Sequence, residues 1–324
     1  MKVFITGGAG YIGSHVAIKF LQENCQVSII DNLENGSKSL VPKKAELIIA
    51  NITDEEKISK IIKRKRFDIA IHLAAYTKVG ESTVNPKKYY ENNYENAKKF
   101  FDICIKNNLK NFIFSSTGSV YGNSSNKNFL EKDDVDPINP YSDSKLKTEK
   151  FLKDISKKKN LKAISLRYFN VAGSDLNLKS GLISNPDNLI KALCEYILGK
   201  REKFFINGND YNTKDGTTIR DFIHVSDLAD IHFLITKKIL SMADHYYDLY
   251  NCGYGQGYSI LQIIKEFEKV IGKKILYNFG NRRQGDAEIS VANVEKLINE
   301  FQWKPKYKDL KVILETALNW EKKL

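Results

Sequence analysis

Val3-Phe4-Ile5-Thr6-Gly7-Gly8-Ala9-Gly10-Tyr11-Ile12-Gly13-Ser14-His15 is the stretch whose reading decides the fold. A short apolar run breaks at a glycine-rich turn, and a helical pattern opens immediately after it. Gly8, Gly10 and Gly13 satisfy GxGxxG, while Gly7, Gly10 and Gly13 satisfy GxxGxxG. Without Cβ atoms the chain can turn tightly and bring backbone N–H groups against a pyrophosphate at the helix N-terminus. Glycine-rich turns are common, so context decides. The run Gln26–Asp31 reads as a second strand that ends on an acid, Asp31, 18 positions beyond Gly13. A carboxylate there hydrogen-bonds the adenosine ribose hydroxyls and repels a 2′-phosphate, which favours NAD over NADP.

Outward from this unit, apolar runs at Val3–Thr6, Gln26–Asp31, Glu46–Ala50, Asp68–Leu73, Asn111–Ser116 and Lys162–Phe169 alternate with helical patterns. The helices are expected over Tyr11–Glu23, Asp54–Lys65, Pro86–Asn107 and Tyr141–Lys157. Strands of four to eight residues between helices imply a parallel sheet covered on both faces, that is, a doubly wound α/β Rossmann sheet. Beyond residue 170 the alternation loosens. Gly173–Asn188 and Asn207–Thr218 read as long loops, followed by shorter elements: a helix at Leu189–Gly199, a strand near Lys203–Ile206, and helices at Ser226–Leu240, Ser259–Ile271 and Leu310–Lys323. The expected organisation is a dinucleotide-binding domain over 1–170 and, over 171–324, mainly a smaller C-terminal α/β substrate-binding cap. Segments such as Tyr247–Asn251 are expected to return to the main sheet.

Composition narrows the function classes. The 324 residues are 42% hydrophobic with only 6 prolines, which excludes disordered and collagen-like chains. No apolar run approaches the roughly 20 residues that span a bilayer, and the first strand is interrupted too early for a signal peptide, so a soluble cytoplasmic protein is expected. Cys25, Cys104, Cys194 and Cys252 show neither CxxC nor zinc spacing and read as buried thiols in a reducing compartment; no metal site is expected. The net charge of +12 comes mostly from dispersed lysines, with runs at Lys63–Arg66 and Lys157–Lys159 that suit helix C-termini. No RNA-binding signature accompanies it, so no nucleic-acid partner is expected, while an anionic nucleotide would be attracted.

Chemistry is suggested by Tyr141-Ser142-Asp143-Ser144-Lys145, where a phenol and an ammonium share one helix face, a turn apart. A free tyrosine, with a pKa near 10, is a poor base. A lysine charge and a cationic nicotinamide would stabilise phenolate and make it a usable acid–base group for a carbinol proton. Phe114-Ser115-Ser116-Thr117 ends a strand upstream, where ligands sit in an open α/β sheet, and supplies a hydroxyl for the reacting oxygen. The five histidines lack metal spacing and read as packing or local hydrogen-bonding residues.

These residues, together with Asp31-Asn32-Leu33, Gly80-Glu81-Ser82, Val120-Tyr121-Gly122, Arg167-Tyr168-Phe169-Asn170, Asp215-Gly216-Thr217, the run from Arg220 to Val225, and Arg282-Arg283-Gln284-Gly285-Asp286, resemble the extended short-chain dehydrogenases/reductases. The resemblance is specifically to the UDP-galactose (UDP-glucose) 4-epimerase group, and the matching segments run from residue 3 to the last 40 residues. It implies that Tyr141 is the base, Lys145 its pKa partner and Thr117 the hydroxyl beside the sugar O4. It implies that NAD is held by Gly7, Gly10, Tyr11, Ile12, Gly13, Asp31, Asn32, Asn35, Gly36, Asn51, Ile52, Leu73, Ala74, Ala75, Thr77, Asn92, Tyr141, Lys145 and Phe169. A UDP-sugar would meet Thr117, Tyr141, Asn170, Asn188, Leu189, Phe205, Asn207, Arg220, Arg283, Asp286 and Ser290, the two arginines being forks suited to a pyrophosphate. The implied reaction interconverts UDP-glucose and UDP-galactose through a 4-keto intermediate.

Three positions depart from the family pattern. Asn51 stands where relatives often carry an adenine-contacting Asp, Thr77 (followed by Lys78) where many carry lysine, and Ser290 where a bulky tyrosine is associated with unsubstituted hexoses. A serine leaves room for a 2-N-acetyl group, so UDP-N-acetylglucosamine and UDP-N-acetylgalactosamine are expected substrates as well. A nucleotide-sugar 4,6-dehydratase would carry Asp-Glu after the active-site Thr, where this chain has Gly118-Ser119. UDP-pentose or uronate epimerisation remains an alternative, and a non-catalytic dinucleotide sensor would not need Tyr141, Lys145 and Thr117 together. The resemblance also implies a homodimer built on the helices at Pro86–Asn107 and Tyr141–Lys157, with Phe100, Phe101, Ile103 and Ile105 as candidate contact surface; burial within one subunit would give the same pattern.

Overall fold

The computed structural model describes residues 1–123, 128–183, 188–243 and 245–324. Its first half comprises β1 (Lys2–Thr6), α1 (Tyr11–Gln22), β2 (Gln26–Asp31), β3 (Glu46–Ile49), α2 (Glu55–Lys65), β4 (Ile69–His72), α3 (Val79–Val84), α4 (Pro86–Tyr90), α5 (Ala97–Lys106), β5 (Asn111–Thr117), α6 (Pro140–Lys158) and β6 (Lys162–Tyr168). The remainder comprises β7 (Asn170–Ala172), α7 (Leu189–Ile197), β8 (Phe205–Asn207), β9 (Ile219–His224), α8 (Val225–Ser241), β10 (Tyr246–Cys252), β11 (Gly257–Ser259), α9 (Ile260–Ile271), β12 (Asn278–Gly280), β13 (Ile289–Ser290), α10 (Glu295–Phe301) and α11 (Leu310–Lys323).

Seven strands form one sheet in the order β10-β6-β5-β4-β1-β2-β3, every pair parallel. Alternation along β1 divides the core. Val3 and Ile5 join Val16 and Phe20 of α1 and Leu228, Ile231 and Ile235 of α8 on one face. Phe4 joins Ile58 and Ile62 of α2, Phe100 of α5 and Leu152 of α6 on the other. Each such fully buried side chain contributes about 1.5–3 kcal/mol of transfer free energy. Because β2 lies on one side of β1 and β4 on the other, the chain reverses direction across the sheet at β1, which opens a crevice at the carboxyl ends of these strands.

After β6 the chain builds a second sheet around β9, which pairs in parallel with β7 and β13 and antiparallel with β11; β8 and β12 form a separate pair. Tyr246–Cys252 does return to the main sheet, as its edge strand beside β6, and α8 packs on α1. The short strands β7, β9, β11, β12 and β13 were not expected from the sequence. They carry two to six residues each, too few for a period to show, and β9 buries Asp221 among apolar neighbours. The loop expected over Gly173–Asn188 lies outside the described residues at 184–187.

Two helix expectations need correction. Pro86–Asn107 is not a uniform α-helix, because Glu91–Asn96 between α4 and α5 has π geometry. The wider turn seats Asn93 inward, where its side chain accepts from Tyr76 N (2.9 Å) and donates to Tyr76 O (3.0 Å), while its own carbonyl takes the Thr148 hydroxyl (3.0 Å). Phe100, Phe101 and Ile103 lie in the core of this one chain, so these three are not available as a dimer surface, while Ile105 packs against that core and stays partly exposed. Among the described residues no helix is long and apolar enough to cross a membrane, and no group of His, Cys, Asp and Glu could hold a metal ion. All four cysteines are buried and free.

Candidate active site

The glycine turn is built by steric necessity. Gly7 has φ +68°, and a Cβ on it would stand 2.7 Å from Ala74 N; one on Gly13 would stand 2.2 Å from Gly7 O. The glycine turn therefore lies against the loop after β4, and the first turn of α1 lies against the glycine turn, as a dinucleotide cradle requires. Asp31 ends β2 with its carboxylate fixed by Ala9 N (3.0 Å) and Leu33 N (2.8 Å). Burial pushes its pKa above the ordinary value, against the pull of these two amides. Tyr11 leaves the turn and donates to Gly173 O (2.6 Å), tying the cradle to the second half of the chain.

The groups expected from the sequence to react stand at the carboxyl edge of β5. Thr117, its last residue, lines the same cavity as the phenol of Tyr141 on the first turn of α6, close enough for its hydroxyl to act on the phenol's acidity. Burial raises the Tyr141 pKa and the Thr117 hydroxyl pulls it down. Lys145 lies one turn further along, almost fully buried, with Nζ on the Ser115 carbonyl (2.8 Å) and 5.0 Å over the Phe114 ring. Burial lowers its pKa to about 7, opposed by the charge of Glu149 another turn on. Glu149 accepts from Arg167 Nε (3.0 Å) and Nη2 (2.8 Å) and from the Ser116 hydroxyl. Tyr141, Lys145 and Glu149 thus line one helix face, with Arg167 neutralising its inner end.

A cavity of about 570 Å³ joins these parts. All of the expected cofactor residues line it except Lys145, which is sealed beneath it behind Ser115. Asn51, Thr77 and Ser290, the three departures, line it too, and Asn51 Oδ1 is already engaged by Thr53 (3.1 Å). From the second half come Asn170, Asn188, Arg220, Arg283, Asp286 and Ser290. Leu189, Phe205 and Asn207 do not reach the cavity: Leu189 packs on the core, and Phe205 and Asn207 on β8 have exposed side chains.

The two arginines are pre-oriented. Arg220 donates to the carbonyls of Ile219 (2.9 Å), Ala287 (2.6 Å) and Glu288 (3.3 Å), and Arg283 grips Asp286 through Nε (3.0 Å) and Nη2 (2.8 Å). The sequence reading missed Glu34, Tyr76, Val79, Glu81 and Lys88 as lining residues. The Tyr76 hydroxyl lies 2.7 and 2.8 Å from the two Glu34 carboxylate oxygens, and Lys88 sits 4.1 Å over its ring. This bridge joins the loops after β2 and β4. No short motif marks it, because its two ends are 42 residues apart.

A parallel sheet with a glycine cradle, an acid ending the second strand and a Thr–Tyr pair backed by lysine at the switch-point crevice defines an extended short-chain dehydrogenase/reductase. The sequence model of the NAD dependent epimerase/dehydratase family matches residues 3–253, and the chain belongs to that family. The UDP-glucose 4-epimerase of Azospirillum brasilense is 38% identical over 324 residues, spanning 100% of this chain and 92% of the relative. Among solved structures, UDP-glucose-4-epimerase from Stenotrophomonas maltophila, with bound NAD and formylated UDP-arabinopyranose, superposes with a TM-score of 0.95 at 30% identity, covering 100% of this chain and 98% of that one. The UDP-Glc/GlcNAc 4-epimerase of Campylobacter jejuni gives a TM-score of 0.84 at 37% identity, covering 100% and 99%.

Proposed function

We propose that the chain is an NAD-dependent UDP-hexose 4-epimerase that interconverts UDP-glucose and UDP-galactose. The observation that carries this reading is the single cavity joining the glycine cradle and Asp31 to the Thr117–Tyr141 pair and then to Arg220 and Arg283. The residues fit the dinucleotide: the approach of Gly7 and Gly13 to their neighbours leaves no room for a Cβ, and the Asp31 carboxylate is held in place by two amides. Bound NAD supplies the reversible two-electron acceptor for the sugar carbon. Tyr141 receives the proton of the sugar O4 hydroxyl and returns it, while Thr117 holds that oxygen and the phenol in one hydrogen-bonded array. Burial holds the phenol's pKa above its ordinary value despite the pull of the Thr117 hydroxyl, so a positive charge brought beside it, such as that of the bound nicotinamide, is what would make it a usable base. Arg220 and Arg283 fix the pyrophosphate, so the sugar can turn while the nucleotide stays bound.

Ser290 supports a wider substrate range. It lines the cavity from β13, in register with Arg220, with a side chain small enough to leave space for a 2-N-acetyl group. The likeness to the UDP-Glc/GlcNAc enzyme supports the same reading. A 4,6-dehydratase is disfavoured because Gly118 and Ser119 follow Thr117. Residues 1–170 are read as the dinucleotide part and 171–324 as mainly the nucleotide-sugar part. The protein is read as a cytoplasmic homodimer whose contact uses outer faces of the α4–α5 and α6 helices, since the inner faces are spent on the core.

The deciding experiment offers UDP-galactose and UDP-N-acetylgalactosamine separately, without added NAD, and follows products by NMR. Conversion of both to their gluco epimers is expected. Conversion of UDP-galactose alone rejects the wider range, and no conversion even with NAD supplied rejects the epimerase reading.

A further inference from the structure

α6 begins at Pro140, and its N-cap is Asn139, a residue with 5% exposure that stands two positions before Tyr141. Its Oδ1 accepts from Ser142 N (2.9 Å) and from the Ser142 hydroxyl (3.0 Å), which fixes the first turn of the helix that carries the phenol. Asp, Ser or Thr would cap a helix as well as Asn does. What only the amide adds is a donor on its other side. That donor, Nδ2, reaches the carbonyl of Gly285 at 3.3 Å, 146 residues along the chain. The amide's orientation is not ambiguous, because Ser142 N can only donate and Gly285 O can only accept.

Gly285 lies between Arg283 and Asp286 in the loop that carries the proposed pyrophosphate fork. It has φ +81°, and a Cβ on it would meet Asn139 Cβ at 3.3 Å and Val79 Cγ1 at 3.5 Å. The loop is thus drawn close against the start of α6, with Arg220 holding its far side through the Ala287 and Glu288 carbonyls.

Resting on the nucleotide-sugar reading, we propose that Asn139 is a positioning residue: it registers the loop of Arg283 and Asp286 against the catalytic turn of Tyr141, so that nucleotide affinity depends on its amide donor as well as on its cap. Asn139→Asp separates the two roles. The carboxylate still caps Ser142 but replaces the donor with an acceptor facing the Gly285 carbonyl.

The test measures UDP binding by calorimetry, KM and kcat with UDP-galactose, and melting temperature, for the wild-type chain, Asn139→Asp and Asn139→Ala. Expected for Asn139→Asp is a near wild-type melting temperature with UDP affinity and KM worsened by about five- to tenfold, the loss of one hydrogen bond, and kcat moved less. Asn139→Ala is expected to lower the melting temperature and weaken UDP binding together. Wild-type UDP affinity and KM in Asn139→Asp would reduce Asn139 to a helix cap and overturn the proposal. A wild-type chain that binds no UDP would instead overturn the nucleotide-sugar reading beneath it.

Discussion

The two ends of the cavity proposed for the dinucleotide and for the sugar are built by different means. At the dinucleotide end the lining comes from the carboxyl ends of β1, β2, β3 and β4, four adjacent strands of one sheet, and includes glycines that no Cβ would fit. At the sugar end they come from the start of α7, from β9, from the 281–287 loop and from β13, all brought together by a small second sheet and a few side-chain hydrogen bonds. The first is a surface defined by missing side chains, the second a surface defined by particular ones. Removing atoms should damage the second and adding atoms the first.

Between the two ends stands the phenol. Tyr141→Phe should leave both ends occupied and lower kcat by about 10²–10⁴-fold, the usual worth of a positioned acid–base group. Stopped turnover with unchanged UDP affinity would be the signature in paired kinetic and calorimetric measurements; retained turnover would move the acid–base role elsewhere.

Adding one methyl at the dinucleotide end is the next largest break. Gly7→Ala sets a Cβ 2.7 Å from the backbone of Ala74 at φ +68°, so NAD affinity should fall by about 100-fold or more, at least 2.7 kcal/mol. Titration with NAD would show it, and wild-type affinity would mean the turn is not the cradle.

At the sugar end, a change that keeps the charge should still hurt. Arg220→Lys removes a planar fork that spans three carbonyls, and UDP affinity should drop by about tenfold while NAD affinity holds. Equal losses of both ligands would argue that the two ends are one cooperative unit.

The smallest effect runs in the opposite direction. Burial has driven the Lys145 pKa down to about 7, so the folded chain binds a proton there less tightly than the unfolded chain, whose lysine titrates near 10.5. The wild type therefore carries a penalty that is complete below pH 7 and fades as pH rises toward 10.5. Lys145→Met should be inactive, yet raise the melting temperature relative to the wild type most at pH 6 and least near pH 10. A gain that does not shrink with pH would reflect packing, not charge.

Legibility follows the same division. Gly7, Gly13 and Asp31, and likewise Tyr141 and Lys145, interact over short chain distances or within one βαβ unit, and local spacing announces them. The Arg220 and Arg283 forks were reached only through resemblance, since an isolated arginine in a loop reads as a surface ion pair. The Glu34–Tyr76 bridge and the Asn139–Gly285 tie left no local mark, because each partner is an unremarkable polar residue until the other is beside it. Conversely, the apolar run at Phe100–Ile105 reads equally as interface or interior, and only packing against Phe4, Phe112 and Phe114 assigns it to the core.

By itself the sequence determined the doubly wound sheet, its glycine turn and acid, and the helix that pairs phenol with ammonium, because periodicity and steric permission act over a few residues. Only the tertiary structure decided that Lys145 faces the Ser115 carbonyl below the cavity, that Phe205 and Asn207 lie outside it, and that the loop of Arg283 and Asp286 is hydrogen-bonded to the N-cap of the helix that carries Tyr141. Those outcomes depend on contacts between segments up to 146 residues apart, where burial and hydrogen-bond satisfaction, not local propensity, choose among conformations the sequence alone leaves equivalent.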